Sequence, residues 1–173
     1  MFKVKLNTNA IARIALLVSI SIVIKMLLSG TTSSFRISFY ELPIIISGIM
    51  YGPILGGLTG FVVDVLYIVF HPMATSFNLM TVSSILWGVL GGVFFFTRKD
   101  LTSVRIITML VVTSILTFLL NSYQLYYIWD LSFADLPLRL GIMLVKLPIQ
   151  FYTLDALYKR VVKPELDFKK KTI

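Results

Sequence analysis

Two sets of polar residues stand inside long apolar runs of this 173-residue chain. The first is Gly60, Asp64, Tyr67 and His71, whose spacing of about one or two helical turns places all four on one face of a helix. The second is Arg139 and Lys146, seven residues apart and so on one face of another helix, with Gln150 continuing it. An acid such as Asp64 deep in an apolar run costs about 2.5–3.5 kcal/mol on insertion scales, so it needs a partner or a wet cavity. Lys146 lies about twelve residues into its helix, roughly 18 Å along the axis, too deep to reach the interface easily. A cation held in a bundle interior should meet an acid, carbonyls or a ligand. Three structural roles compete with a ligand role. Lys25 can snorkel to the interface, Arg139 can pair with Asp135 one turn earlier, and Lys146 can pair with Asp64.

Other chemistries are absent. His71 is the sole histidine and there is no cysteine, so a His- or thiolate-based metal site is excluded. No P-loop, G-x-S-x-G or H-E-x-x-H pattern occurs, and no nucleophile stands beside a base. The reading is therefore of a protein that is not an enzyme and needs no cofactor or metal. Nothing resembles a soluble basic groove, so nucleic acid is not an expected partner.

The elements that carry these residues follow from composition. The chain is 57% hydrophobic and 14% charged, with a mean hydropathy of +0.90. That is an all-α integral membrane protein in a lipid bilayer, one membrane domain with almost nothing left for a soluble part. Six transmembrane helices are expected at about 10–28, 39–51, 54–70, 80–96, 103–120 and 134–158. Asn9 suits the cap of the first. The first run is too long for a leader's apolar core and lacks a small-residue cleavage site, so it reads as a span. Gly52-Pro53 turns the chain, His71-Pro72 ends the third helix, and Pro148 is a candidate kink in the last. The second run is short for a span, which fits a thinned bilayer or a helix starting inside a cavity. No internal repeat is visible, and the chain is too small for two pseudo-symmetric transporter halves.

Six spans put both termini on one side. Twelve of the sixteen Lys and Arg residues fall there, which makes that side cytoplasmic and the protein a multi-pass component of the cell membrane. Lys25, Arg36, Arg139 and Lys146 remain in the outer half, where charge bias does not explain them. Aromatic residues cluster at the same outer levels, Tyr40 and Tyr126 among them, as an interfacial belt from which some can stack on a planar ligand. Ala12, Ala15 and Ser19 give the first helix a small-residue face, able to pack within the chain or against another membrane subunit.

The pattern Arg36-Ile37-Ser38-Phe39-x-x-x-Pro43, Gly48, Tyr51-Gly52-Pro53-x-x-Gly56-x-x-x-Gly60-x-x-x-Asp64, with Lys146-Leu147-Pro148-Ile149-Gln150, resembles the S components of energy-coupling factor (ECF) vitamin transporters, folate family. The resemblance implies an S-component-like six-helix bundle binding folate near the outer face. It implies gating by loops 29–38 and 71–79, with Arg36, Tyr40, Asp64, Tyr67, His71, Asn78, Arg139 and Lys146 as ligand-binding candidates. It also implies partnership with a transmembrane coupling subunit and two cytoplasmic ATPase subunits. Such components present A-x-x-x-A on the first helix, where this chain has Ala15-x-x-x-Ser19 with Ala12 a turn earlier. Folate is a dianion with a flat pterin, which suits spare cations, Asp64 as an acceptor, and aromatics. Pyridoxine, hydroxymethylpyrimidine or thiamine would use the cations less well. From another class, a self-sufficient proton-coupled carrier would use Asp64 and Lys146 as its relay.

Overall fold

The structure is a computed structural model, and it describes residues 8–27, 39–70, 79–96, 102–128, 130 and 133–164. Arg36, His71 and Asn78, and the loops 29–38 and 71–78, lie outside the described residues. Six α-helices make up the described fold: α1 (Thr8–Leu27), α2 (Glu41–Tyr51), α3 (Pro53–Phe70), α4 (Leu79–Phe96), α5 (Ser103–Tyr123) and α6 (Leu136–Leu157). Four segments are long and apolar enough to cross a bilayer: α1, α3, and α5 and α6 with their extensions.

The centre is a three-helix seam of α2, α3 and α4. Glycine makes it possible. A Cβ on Gly88 of α4 would run into the Gly56 carbonyl of α3, and one on Gly60 would run into the Ser84 carbonyl of α4. These are backbone atoms that cannot swing aside, so the helices approach as closely as small residues allow. The G-x-x-x-G spacing of the sequence is thus a packing device.

α2 is the short helix. Its eleven residues reach about 16 Å, half of a bilayer's hydrocarbon thickness. It does not face lipid alone: all its residues except Met50 are buried. Its polar backbone ends are therefore sheltered inside protein, the one place at membrane depth where helix ends persist. The turn into α3 is made by Gly52 at φ 93°, which a side chain would strain. Its N–H donates to Gly48 O at 2.8 Å and its carbonyl accepts from Gly56 N at 2.9 Å.

The other helices wrap this seam. α1 packs on α2 and α3, α5 on α4, and α6 chiefly on α5. α1 and α6 leave much apolar surface uncovered, including Leu16, Leu27, Leu144 and Val145. Such exposure marks an association or aggregation site on a soluble protein. In hydrocarbon it costs nothing, so these are lipid-facing sides.

Two helix ends differ from the sequence expectation. α5 runs past residue 120 to Tyr123 and continues as a wide π turn, Gln124–Ile128. The run NSYQLYYI holds no Gly or Pro to stop it. α6 passes through Pro148 as one helix and ends in a second π turn, Tyr158–Val162, which returns to α2.

Candidate ligand-binding site

Asp64 is 5% exposed in the middle of α3 and is fully occupied by protein donors. Lys25 of α1 donates to its Oδ1, as does Ser84 Oγ of α4 at 3.4 Å, and Thr81 Oγ1 of α4 donates to Oδ2. The Lys25 ammonium lies between two rings, 4.7 Å from the Tyr40 centroid and 4.6 Å from that of Tyr67. Tyr40, just before α2, adds a hydroxyl contact to Ser84 Oγ at 3.3 Å, and its carbonyl accepts from Ser21 Oγ of α1. One charge-compensated knot therefore ties four helices. The expected Asp64–Lys146 pair does not form, and Lys25 does not snorkel: its ammonium is buried on Asp64.

Lys146 goes elsewhere. Its Nζ donates to Glu41 Oε1 at 2.7 Å, with side-chain exposures of 16% and 5%. The Trp87 ring of α4 lies 6.0 Å from the same ammonium. Glu41 opens α2, where the helix dipole also favours an acid. A carboxylate this deep costs several kcal/mol unless paired, and Lys146 is that pair. The pair ties α6 to the central seam.

Arg139 sits one helical stretch nearer the start of α6. Its guanidinium lies 5.7 Å from the Phe118 ring and 5.8 Å from the Tyr126 ring, both on the α5 side. It makes no ion pair among the described residues, so the Asp135 pairing of the sequence reading is replaced by stacking on aromatics. Its Nη1 is buried without a hydrogen-bond partner. Nearby on α5 and its π turn, Ser122 Oγ, Gln124 Oε1 and Tyr126 OH are in the same condition, as are both amide atoms of Gln150 on α6. Buried polar atoms are normally satisfied, and each one left without a partner costs about 1–3 kcal/mol. Unpartnered polar atoms on neighbouring helices are what a polar ligand or ordered water would complete. A π turn also follows α5 here, a backbone form frequent at functional sites.

Of the candidates named from sequence, Tyr40, Asp64 and Tyr67 come together around Lys25, while Arg139 and Lys146 share the α6 face. Ala12, Ala15 and Ser19 are exposed on α1, with Ser19 Oγ bonded back to Ala15 O at 2.9 Å. Sequence reasoning missed Glu41, Thr81, Ser84, Trp87 and Gln124. Glu41 was findable as the acid opening an apolar run. Thr81 and Ser84 carry only the weak signal of two hydroxyls a turn apart.

Apolar helices around a glycine-packed centre, with polar side chains facing inward and incompletely satisfied, define a membrane-embedded binding protein. A family model described as "ECF transporter, substrate-specific component" matches residues 9–157, and the chain belongs to that family. It is a family of transport components, not of enzymes. The chain is 36% identical over 110 residues to the folate transporter FolT of Clostridium novyi (strain NT), covering 61% of this chain and 64% of that one. The chain thus spans a little under two-thirds of that relative's length. A crystal structure of FolT bound with folic acid superposes with a TM-score of 0.82 at 25% identity, covering 90% of this chain and 95% of that one. The S component of a bacterial ECF transporter superposes with a TM-score of 0.67 at 16% identity, over 90% of this chain and 96% of that one, and supports the fold alone.

Proposed function

We propose that this protein captures folate at the outer side of the cell membrane and delivers it together with an ECF module. That module comprises a transmembrane coupling subunit and two cytoplasmic ATPases. The observation that carries the substrate is the likeness, over nearly the whole chain, to a FolT that holds folic acid. The site chemistry agrees. Arg139, with no carboxylate against it among the described residues, offers a guanidinium for a carboxylate, and Trp87 is an aromatic neighbour of Lys146. Lys146, Arg36, His71 and Asn78 complete the proposed ligand set, with Tyr40, Asp64 and Tyr67 as a braced wall beside it. Termini on the cytoplasmic side follow from the twelve basic residues there. Ala12, Ala15 and Ser19 supply the exposed small-residue face of α1 for the coupling subunit.

The test is equilibrium binding of folate to the purified protein in detergent or nanodiscs. Tight binding is expected, weakened at least tenfold by Arg139→Ala. Absence of folate binding, with another vitamin carried through purification, overturns the substrate. A self-sufficient proton relay through Asp64 and Lys146 is disfavoured, since the two side chains sit in separate ion pairs. Uptake by proteoliposomes holding this chain alone would revive it.

A further inference from the structure

The net charge of the chain belongs to one end of the bundle. By position in the sequence, Lys25, Arg36, Arg139 and Lys146 share their half with Glu41, Asp64, Asp130 and Asp135, and the two sets cancel. The other twelve bases share the opposite end with only Asp100, Asp155, Glu165 and Asp167, which accounts for the full +8. Lys159, Arg160 and Lys163 stand at that end, on and just after the π turn that closes α6, and all three are exposed. Lys159 is answered by Asp155, Nζ to Oδ2 at 2.7 Å. Arg160 and Lys163 have no ion pair among the described residues.

Helix length sets their depth. α6 with its extensions covers Phe133–Val162, 30 residues, which is about 45 Å of rise. Hydrocarbon takes about 30 Å of that, and the polar layers bring a bilayer to about 40–45 Å. A segment of this length that starts at one interface ends among the headgroups of the other, so its last turn lies at phosphate level. The π turn sets their direction. Lys163 N–H donates to Tyr158 O. In so wide a turn each residue advances less around the axis than in an α turn, so residues four apart stay in line. Leu154, Tyr158 and Val162 therefore all remain buried, and the three bases stay on the outward side. On that side before them, Val145, Ile149 and Tyr152 are exposed. From Val145 to Arg160 the rise is about 22 Å, the depth of one leaflet with its headgroups.

Lipid tails cover such an apolar strip whatever headgroup they carry. The bases at its end are what discriminate. A zwitterionic lipid brings its own ammonium, whereas an anionic one leaves its phosphate charge for a two-point bond from Arg160 and a point charge from Lys163. We propose that the outward side of α6 is a binding site for one anionic phospholipid, its phosphate on Arg160 and Lys163 and an acyl chain along Tyr152, Ile149 and Val145. The site depends on the membrane-spanning fold and not on the folate reading. It gives α6, which packs chiefly on α5, a second neighbour on its open side.

The experiment titrates lipid-stripped protein in a neutral detergent with dioleoyl phosphatidylglycerol or dioleoyl phosphatidylcholine. Bound lipid is counted by native mass spectrometry, and thermal unfolding is followed with and without lipid. One phosphatidylglycerol should be retained, bound about tenfold or more tightly than phosphatidylcholine. A base at an anionic surface contributes about fivefold in affinity, so Arg160→Gln with Lys163→Gln should weaken phosphatidylglycerol about twenty- to thirtyfold, to the level of phosphatidylcholine. The lipid-free unfolding temperature should not change, because both side chains are exposed and unpaired. Lys169→Gln with Lys170→Gln removes the same charge elsewhere and should leave phosphatidylglycerol binding unchanged. Excess inorganic phosphate should not displace the lipid. Equal binding of the two lipids by wild type, or no effect of the Arg160 and Lys163 changes, overturns the proposal. Equal weakening by the Lys169 and Lys170 changes means diffuse attraction, and displacement by phosphate means a free-anion site; each overturns it. A lower lipid-free unfolding temperature assigns the two bases to folding. An Arg160 and Lys163 variant that keeps both lipids as wild type does but no longer assembles with the coupling subunit and ATPases makes them a protein-docking patch. Both of these results overturn the proposal as well.

Discussion

Asp64→Ala is the perturbation that most sharply tests the account of the knot. It removes the carboxylate that Lys25, Thr81 and Ser84 all donate to. Lys25 is 9% exposed and would be left as a buried cation beside two ring faces. Those rings return about 0.5–2 kcal/mol each at most, well short of the loss. Breaking one partner of a buried pair costs about 3–5 kcal/mol, while Ser84 Oγ keeps the Met80 carbonyl as an acceptor at 3.2 Å. Donors in a membrane interior find substitutes, so the hydroxyls add little and about 3–5 kcal/mol in total is expected. Removing both charges with shape-matched apolar residues, Lys25→Met with Asp64→Leu, should cost much less, within about 2 kcal/mol of wild type. The assay is reversible unfolding in mixed micelles by titration with a denaturing detergent, read by tryptophan emission. The reasoning is refuted if the double variant is as unstable as the sum of the two single ones. It is equally refuted if Asp64→Ala costs under about 1 kcal/mol, since the charge would then be solvated rather than sealed.

Two other perturbations follow from the packing. Gly88→Ala sets a Cβ against the Gly56 carbonyl and should destabilise by about 1–3 kcal/mol or more, whereas Gly141→Ala, with open space at its Cβ, should be neutral or stabilise by up to about 1 kcal/mol. Thermal unfolding of the two proteins side by side reads the contrast. Glu41→Gln leaves Lys146 without its counter-charge and should lower stability by about 1–3 kcal/mol, less than the Asp64 change because Lys146 is 16% exposed. Adding Lys146→Met to that protein should restore part of the loss, and no restoration would mean the pair is not an energetic unit.

Much of the architecture was legible because the bilayer imposes a length and a composition on every span. Hydropathy alone places the helices to within a few residues, and the ends that slipped did so where no breaker stood, as after Leu120. The face Gly60–Asp64–Tyr67 was legible from helical spacing, and all three residues are buried. The α6 face of Arg139, Lys146 and Gln150 was legible for the same reason. Partner choice was not. Asp64 was expected to meet Lys146, since both lie deep in apolar runs. α1 packs beside α3 whereas α6 packs chiefly on α5, so the cation of α1 is the one within reach, while the buried start of α2 brings Glu41 to α6.

The sequence by itself determined an all-helical membrane protein, the costly residues inside it, and the glycine spacing that lets its central helices touch. Those are local properties: hydropathy, helical period and side-chain size. Which acid neutralises which lysine is not local. Lys25 and Asp64 are 39 residues apart and Glu41 and Lys146 are 105 apart, so only the order in which the helices pack settles both pairs. Among the described residues, that packing also leaves Arg139 without a carboxylate and the Gln150 amide without a hydrogen-bond partner. Which buried polar groups go unpaired there is a property of the tertiary structure alone.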